Sequence, residues 1–136
     1  MKNTGKPTED LFEAHLDSYG KYAYYYRLPD AAEIRGRTGK IGQARPTPSD
    51  YIVVLDRRTR FVEVKSTTDE KRFSFSLLRP VQSAAAKRVL AAGGDYEVVI
   101  HSIAHNRWFW LPYAELRTDE RRSIAWDDFP AWREMH

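Results

Sequence analysis

Asp50-Tyr51-Ile52-Val53-Val54-Leu55, Asp56-Arg57-Arg58-Thr59-Arg60 and Phe61-Val62-Glu63-Val64-Lys65 follow one another in the middle of the chain. The first block is an apolar run led by an acid, the third alternates apolar with charged residues, and the polar block between them suits a turn. Together they predict an antiparallel hairpin. Side chains two apart on a strand leave the same face, so Glu63 and Lys65 share one side while Val62 and Val64 take the other. A turn centred near Arg58 sets Tyr51 opposite Lys65 and brings Asp50, at the strand end, within reach of the Glu63 and Lys65 face. Two carboxylates beside one ammonium offer oxygen ligands to a hard divalent cation such as Mg²⁺. They also supply a lysine to act on an attacking water or on developing charge. Phosphodiester hydrolysis fits this set. A lone Glu-x-Lys is ordinarily a weakly paired, solvent-facing couple. Here it ends a strand with Val at both core-facing positions, Asp50 follows Pro48-Ser49 upstream, and an acidic helix precedes both.

Outward from the hairpin, Pro7 suits a first helical turn, and Leu11, Phe12, His15, Leu16 and Tyr19 recur at helical spacing until Gly20. Tyr22 to Leu28 reads as a tyrosine-rich strand closed by Pro29. From Ile34 to Ser49 the composition changes: Gly36, Gly39 and Gly42 loosen the backbone, and the charged residues Arg35, Arg37, Lys40 and Arg45 are all basic. After the hairpin, polar Thr67 to Arg72 predicts a loop, and Phe73 and Phe75 alternate with serines. Pro80 to Ala92 predicts an alanine-rich helix stopped by Gly93-Gly94. Tyr96 to Ile103 and Trp108 to Leu111 predict a second hairpin around Ala104-His105-Asn106-Arg107. Beyond Tyr113 no clear period stands out. The order of elements predicts an α/β fold: a single domain over 1–136 with a mixed central sheet flanked by two helices and a basic, flexible loop at about 34–49.

Pro48-Ser49-Asp50 followed by Glu63-Val64-Lys65 resembles the signature of the PD-(D/E)xK nucleases, with an extra serine in the proline-containing element. Gly5-Lys6-Pro7-Thr8-Glu9-Asp10 resembles the glycine-led first helix of the RecU-type and phage Holliday junction resolvases. Phe73-Ser74-Phe75-Ser76-Leu77 with Gln82 resembles their stretch after the lysine. The resemblance spans Gly5 to about Leu116. It implies a restriction-endonuclease-like core and a Mg²⁺-dependent endonuclease, with Mn²⁺ as a substitute. It also implies a homodimer acting on branched four-way DNA junctions in recombination and repair. Carried onto this chain, Asp50, Glu63 and Glu9 would hold the metal, Lys65 would assist the water, and Gln82 would position water or lysine. Glu13, one turn after Glu9, is a rival for the helix-one acid, and Gln82 by itself is an ordinary first-turn residue. A repair or restriction nuclease, or a noncatalytic DNA-binding module, remains open beside the resolvase.

The 136 residues include no cysteine, which excludes disulfide scaffolds, zinc ribbons and thiol catalysis. No apolar run is long enough to cross a bilayer and Met1-Lys2-Asn3-Thr4-Gly5 lacks a signal-peptide core, so a soluble, cytoplasmic protein without membrane contact is expected. Lys and Arg number 22 against 19 Asp and Glu, a net +3 that favours polyanions mildly. Gly36-Arg37-Thr38-Gly39-Lys40-Ile41-Gly42 looks like a phosphate loop, but isoleucine follows the lysine and no parallel strand leads in, so nucleotide binding is rejected. The basic residues there suit either an arm on DNA phosphates or a solvated loop. His101 and His105 fall on a strand and its turn, where they do not aim at one metal, and are expected at the surface. Trp108, Trp110, Trp126 and Trp132 are expected to fill cores and receive no site role. No nucleophile elbow for ester hydrolysis is present.

Overall fold

The computed structural model describes residues 5–29, 47–116 and 121–136. Most of the basic loop expected at 34–49, with Arg35, Arg37, Lys40 and Arg45, lies outside the described residues. Helix α1 spans Gly5–Asp17 and buries Thr8, Phe12 and Leu16, which recur every fourth residue and so line one face. Gly20, at φ 58, then turns the chain in the left-handed region that favours glycine. The strands are β1 (Ala23–Arg27), β2 (Tyr51–Leu55), β3 (Arg58–Thr67) and β4 (Arg72–Ser74), then β5 (Tyr96–Ser102), β6 (Arg107–Pro112), β7 (Ser123–Ala125) and β8 (Glu134–Met135). Helix α2 (Pro80–Ala91) carries the chain from β4 to β5, and the short α3 (Tyr113–Leu116) follows β6.

Six strands form one sheet in the order β1-β2-β3-β5-β6-β8, and β4 pairs with β7 in a separate two-stranded sheet. Among the described residues only the β3–β5 pairing is parallel, so the central sheet is mixed, with α2 in the crossover between those two strands. All seven residues of β5 are buried, as expected for a strand covered on both faces. One face packs on α1: Phe12 and Leu16 meet Tyr51, Val53, Leu55, Val62, Val64 and Val99. On the other, Val98, Ile100, Phe109 and Leu111 meet Phe73, Leu78 and Ala86, with Trp126 and Phe129 from the tail. This second cover stops short of β1 and β2. Tyr51, Val53 and Leu55 are buried against α1, while Ile52 and Val54, facing the other way, are only half-buried.

The first hairpin turns earlier than its sequence implies. Asp56 and Arg57 both have positive φ, at 53 and 64, the signature of a two-residue turn whose twist matches its strands. Tyr51 therefore pairs with Val62 and not with Lys65. Continued by one residue, that register sets Asp50 beside Glu63.

Two further expectations need correction. His101 is buried and not at the surface: its Nδ1 lies 2.8 Å from the Thr8 hydroxyl and its ring stacks on Trp108 at 4.0 Å. Its burial pushes the imidazole below its ordinary pKa. Trp132 is exposed, with the Arg133 guanidinium 3.6 Å from its ring centre, so it fills no core. Among the described residues, no helix is long and apolar enough to cross a membrane.

Candidate active site

The site grows out of the corrected register. Asp50 stands just before β2, and its Oδ2 accepts a hydrogen bond from the Val64 N–H at 2.8 Å. Its own carbonyl accepts from the Leu28 N–H at 2.8 Å, so the end of β1 and the middle of β3 clamp the residue from both sides. The preceding turn is fixed as well: the Ser49 hydroxyl donates to the Tyr51 carbonyl at 2.8 Å, and the Tyr96 hydroxyl donates to the Pro48 carbonyl at 2.5 Å. The extra serine in Pro48-Ser49-Asp50 thus has a local role in shaping the bend.

Glu63 is 1% exposed on the β3 face that looks toward α2. Its Oε2 lies 3.2 Å from Lys65 Nζ and accepts a hydrogen bond from Gln82 Nε2. The Gln82 Oε1 accepts from the Arg79 N–H at 3.0 Å, so one amide caps the first turn of α2 and grips the buried carboxylate. Glu63 Oε1 is buried without a hydrogen-bond partner. An orphaned carboxylate oxygen in an apolar setting is costly. Burial first, and the neighbouring Asp50 second, push Glu63 up to about 8 against the opposing pull of Lys65. Asp50 is also raised, chiefly by burial, with the Val64 N–H and Lys65 pulling the other way. Both shifts favour the protonated acid, and the larger rise falls on Glu63.

Glu9 sits half-buried on α1, raised by burial and then by the charge of Asp50, while Arg27 opposes the rise. Glu13 is engaged elsewhere, accepting a hydrogen bond from the Tyr51 hydroxyl at 2.5 Å. Among the described residues, however, no group of three or more carboxylate or imidazole side chains is gathered closely enough to hold a metal. The structure brings Asp50, Glu63, Lys65 and Gln82 together and leaves Glu9 outside that cluster. His105 points away to the Glu70 carbonyl at 2.6 Å, so the two histidines form no metal pair.

Sequence reading overlooked Arg79, an exposed cation at the start of α2 whose charge acts on Asp50. The spacing Arg79-Pro80-Val81-Gln82 was the available signal, because a helix opening with Pro and carrying Gln at its third position points that amide back at the residue before the helix.

A mixed sheet between two helices, with an acid pair where its second and third strands meet, is an α/β architecture shared with a solved structure. The solved structure of Archaeoglobus fulgidus Hjc, a Holliday junction resolvase from an archaeal hyperthermophile, is similar to it with a TM-score of 0.60 and 15% identity, covering 93% of this chain and 92% of that one. No protein-family model matches the chain. No curated protein matches it either.

Proposed function

We propose that this protein is a metal-dependent endodeoxyribonuclease, and that its substrate is the four-way DNA junction. The observation that carries the reading is the pair of half-buried Asp50 and buried Glu63, with its orphaned Glu63 Oε1, flanked by Lys65 and Gln82. The donor set fits Mg²⁺, or Mn²⁺ in its place: hard carboxylate oxygens, no sulfur, and a carboxylate oxygen with no protein donor to satisfy it. Asp50 and Glu63 would hold the ion; Glu9 stands outside their cluster on α1, and a ligand role for it would require its side chain to swing inward. When bound, the cation supplies charge stabilisation at the phosphate and lowers the pKa of water.

The chain's own groups do the rest. Water adds to phosphorus, the bond to the leaving sugar oxygen breaks, and that oxygen takes a proton. Lys65 Nζ, held at 3.2 Å from Glu63, is placed to orient the water or to meet the charge growing on the phosphate. Gln82 holds the Glu63 carboxylate in one rotamer, which keeps the ligand preorganised. The junction substrate rests on the resemblance of Glu9 and the post-lysine stretch to resolvases and on a fold shared with one.

A gel comparing junction, linear duplex and single-stranded DNA, with Mg²⁺ and with excess EDTA, tests both parts. Cleavage of the junction that EDTA abolishes is the expected result. Full activity in EDTA would end the metal reading, and equal rates on linear duplex would move the protein to a repair or restriction role. No cleavage of any DNA would leave a noncatalytic DNA-binding module.

A further inference from the structure

Among the described residues strand β1 is an edge strand, and one face of it carries Tyr24 and Tyr26, exposed at 63% and 53%, with Tyr22, in the 3-10 turn just before the strand, exposed at 73%. Solvent-facing strand positions are normally polar, and large exposed apolar patches mark interaction sites. The direction of these rings follows from the register. Tyr24 pairs with Val54 and Tyr26 with Ile52, while Ile52 pairs with Phe61, two residues before Glu63. Cross-strand partners share a face, so the tyrosine row lies on the side of the sheet that carries Asp50 and Glu63. The intervening Tyr25 turns to the other face, where it packs edge-on to Tyr51 at 6.1 Å and donates to Asp17 at 3.0 Å.

We infer that Tyr24 and Tyr26, with Tyr22 just ahead of the strand, form a stacking platform for unpaired DNA bases, leading the strand into the Asp50–Glu63 site; this rests on the nuclease reading. Same-face residues on a strand stand about 6.8 Å apart, twice the ~3.4 Å rise of stacked bases, so consecutive rings match a step of two bases. Aromatic stacking tolerates any sequence, because every base offers a π-face. The row's charge suits the ligand: between Gly20 and Leu28 the only charged residues are Lys21 and Arg27, both cationic, at the two ends of the row. Lys21 Nζ lies 5.4 Å from the Tyr22 ring centre. Continuity with the site argues against a second copy as occupant, since a partner seated flat on this face would cover the carboxylates that a phosphodiester must reach.

The test replaces the rings and keeps the strand: Tyr24→Thr with Tyr26→Thr, beside Tyr24→Phe with Tyr26→Phe. Threonine retains β propensity without a π-face, and phenylalanine retains the face. Binding of a short dye-labelled oligothymidylate is measured in EDTA, where no cleavage intrudes. The threonine pair should lose about tenfold or more in affinity, since each stacked base contributes about 1–3 kcal/mol, and the phenylalanine pair should stay within about twofold of the parent. Unchanged affinity in the threonine pair overturns the platform. So does a parent that sediments as a dimer and a threonine pair that sediments as a monomer, which would assign the face to a second copy. Because the readout is binding without metal, either failure leaves the nuclease reading to its own cleavage test.

Discussion

The proposed chemistry turns on Glu63, an acid where an acid is least comfortable. Its folded-state pKa, at about 8, lies above the ordinary value of 4.5, so the folded protein keeps a proton that the unfolded chain releases. Stability of the cation-free protein is therefore greatest below about pH 4.5 as far as this group is concerned, and is lost as pH rises through about 8. Glu63→Gln should remove that slope, raising the melting temperature in EDTA at alkaline pH while abolishing cleavage; a parent-like slope in the variant would place the proton elsewhere. Lys65→Ala makes a different demand. Its ammonium pairs with Glu63 Oε2, inside the site, so the substitution should cost cleavage by orders of magnitude and leave junction affinity similar. A Lys65→Ala protein cutting at the parental rate would take that residue out of the chemistry.

The β2–β3 hairpin is the element through which these residues meet, and its turn explains what could and could not be read in advance. The pairing of Asp50-led and Glu63-bearing strands was legible from alternation, as were α1, α2 and the second hairpin, whose strands pair antiparallel from Glu97–Pro112 to Ser102–Arg107. The register was not. Asp56-Arg57 adopts the conformation that Asn-Gly announces, but without a residue that announces it. The faces of Glu63 and Val64 followed from period two, whereas the closeness of Asp50 depended on the turn. The tail was illegible for another reason. Ile124, Trp126 and Phe129 enter the core from or beside 3-residue strand and helical segments too short to show a period. The exposed tyrosines of β1 were legible as a strand, but aromatic content alone does not tell which ring is covered. Replacing the turn with Asp56→Asn and Arg57→Gly should relieve left-handed strain and stabilise the protein by about 0.5–1 kcal/mol, or about 2–5 °C. Cleavage should be unaffected, because the turn lies at the far end of the hairpin from Asp50. A fall in both melting temperature and cleavage would show that Asp56 or Arg57 does more than turn the chain.

At the scale of the whole molecule, one site cannot resolve a junction. Resolution would need two incisions on strands related by two-fold symmetry, and a single Asp50–Glu63 cluster would provide one under the proposed function. A homodimer would present two identical sites, each making one nick, so that paired cuts follow from symmetry and substrate choice follows from the spacing and angle of the arms. Binding to phosphates would hold the register, with the basic segment Arg35, Arg37, Lys40 and Arg45 as a dense cationic stretch suited to it. Replacing those four by alanine should weaken junction binding and flatten its salt dependence, by about 0.9 in log–log slope for each phosphate no longer neutralised; an unchanged slope would show that the segment meets no phosphate. For the parent protein, sedimentation should give a dimer, and a cruciform in supercoiled DNA should be linearised before nicked circles accumulate, because the second site is already seated when the first has cut. A monomer that nicks the cruciform and stops there would separate the chemistry of Glu63 from the symmetry that resolution requires.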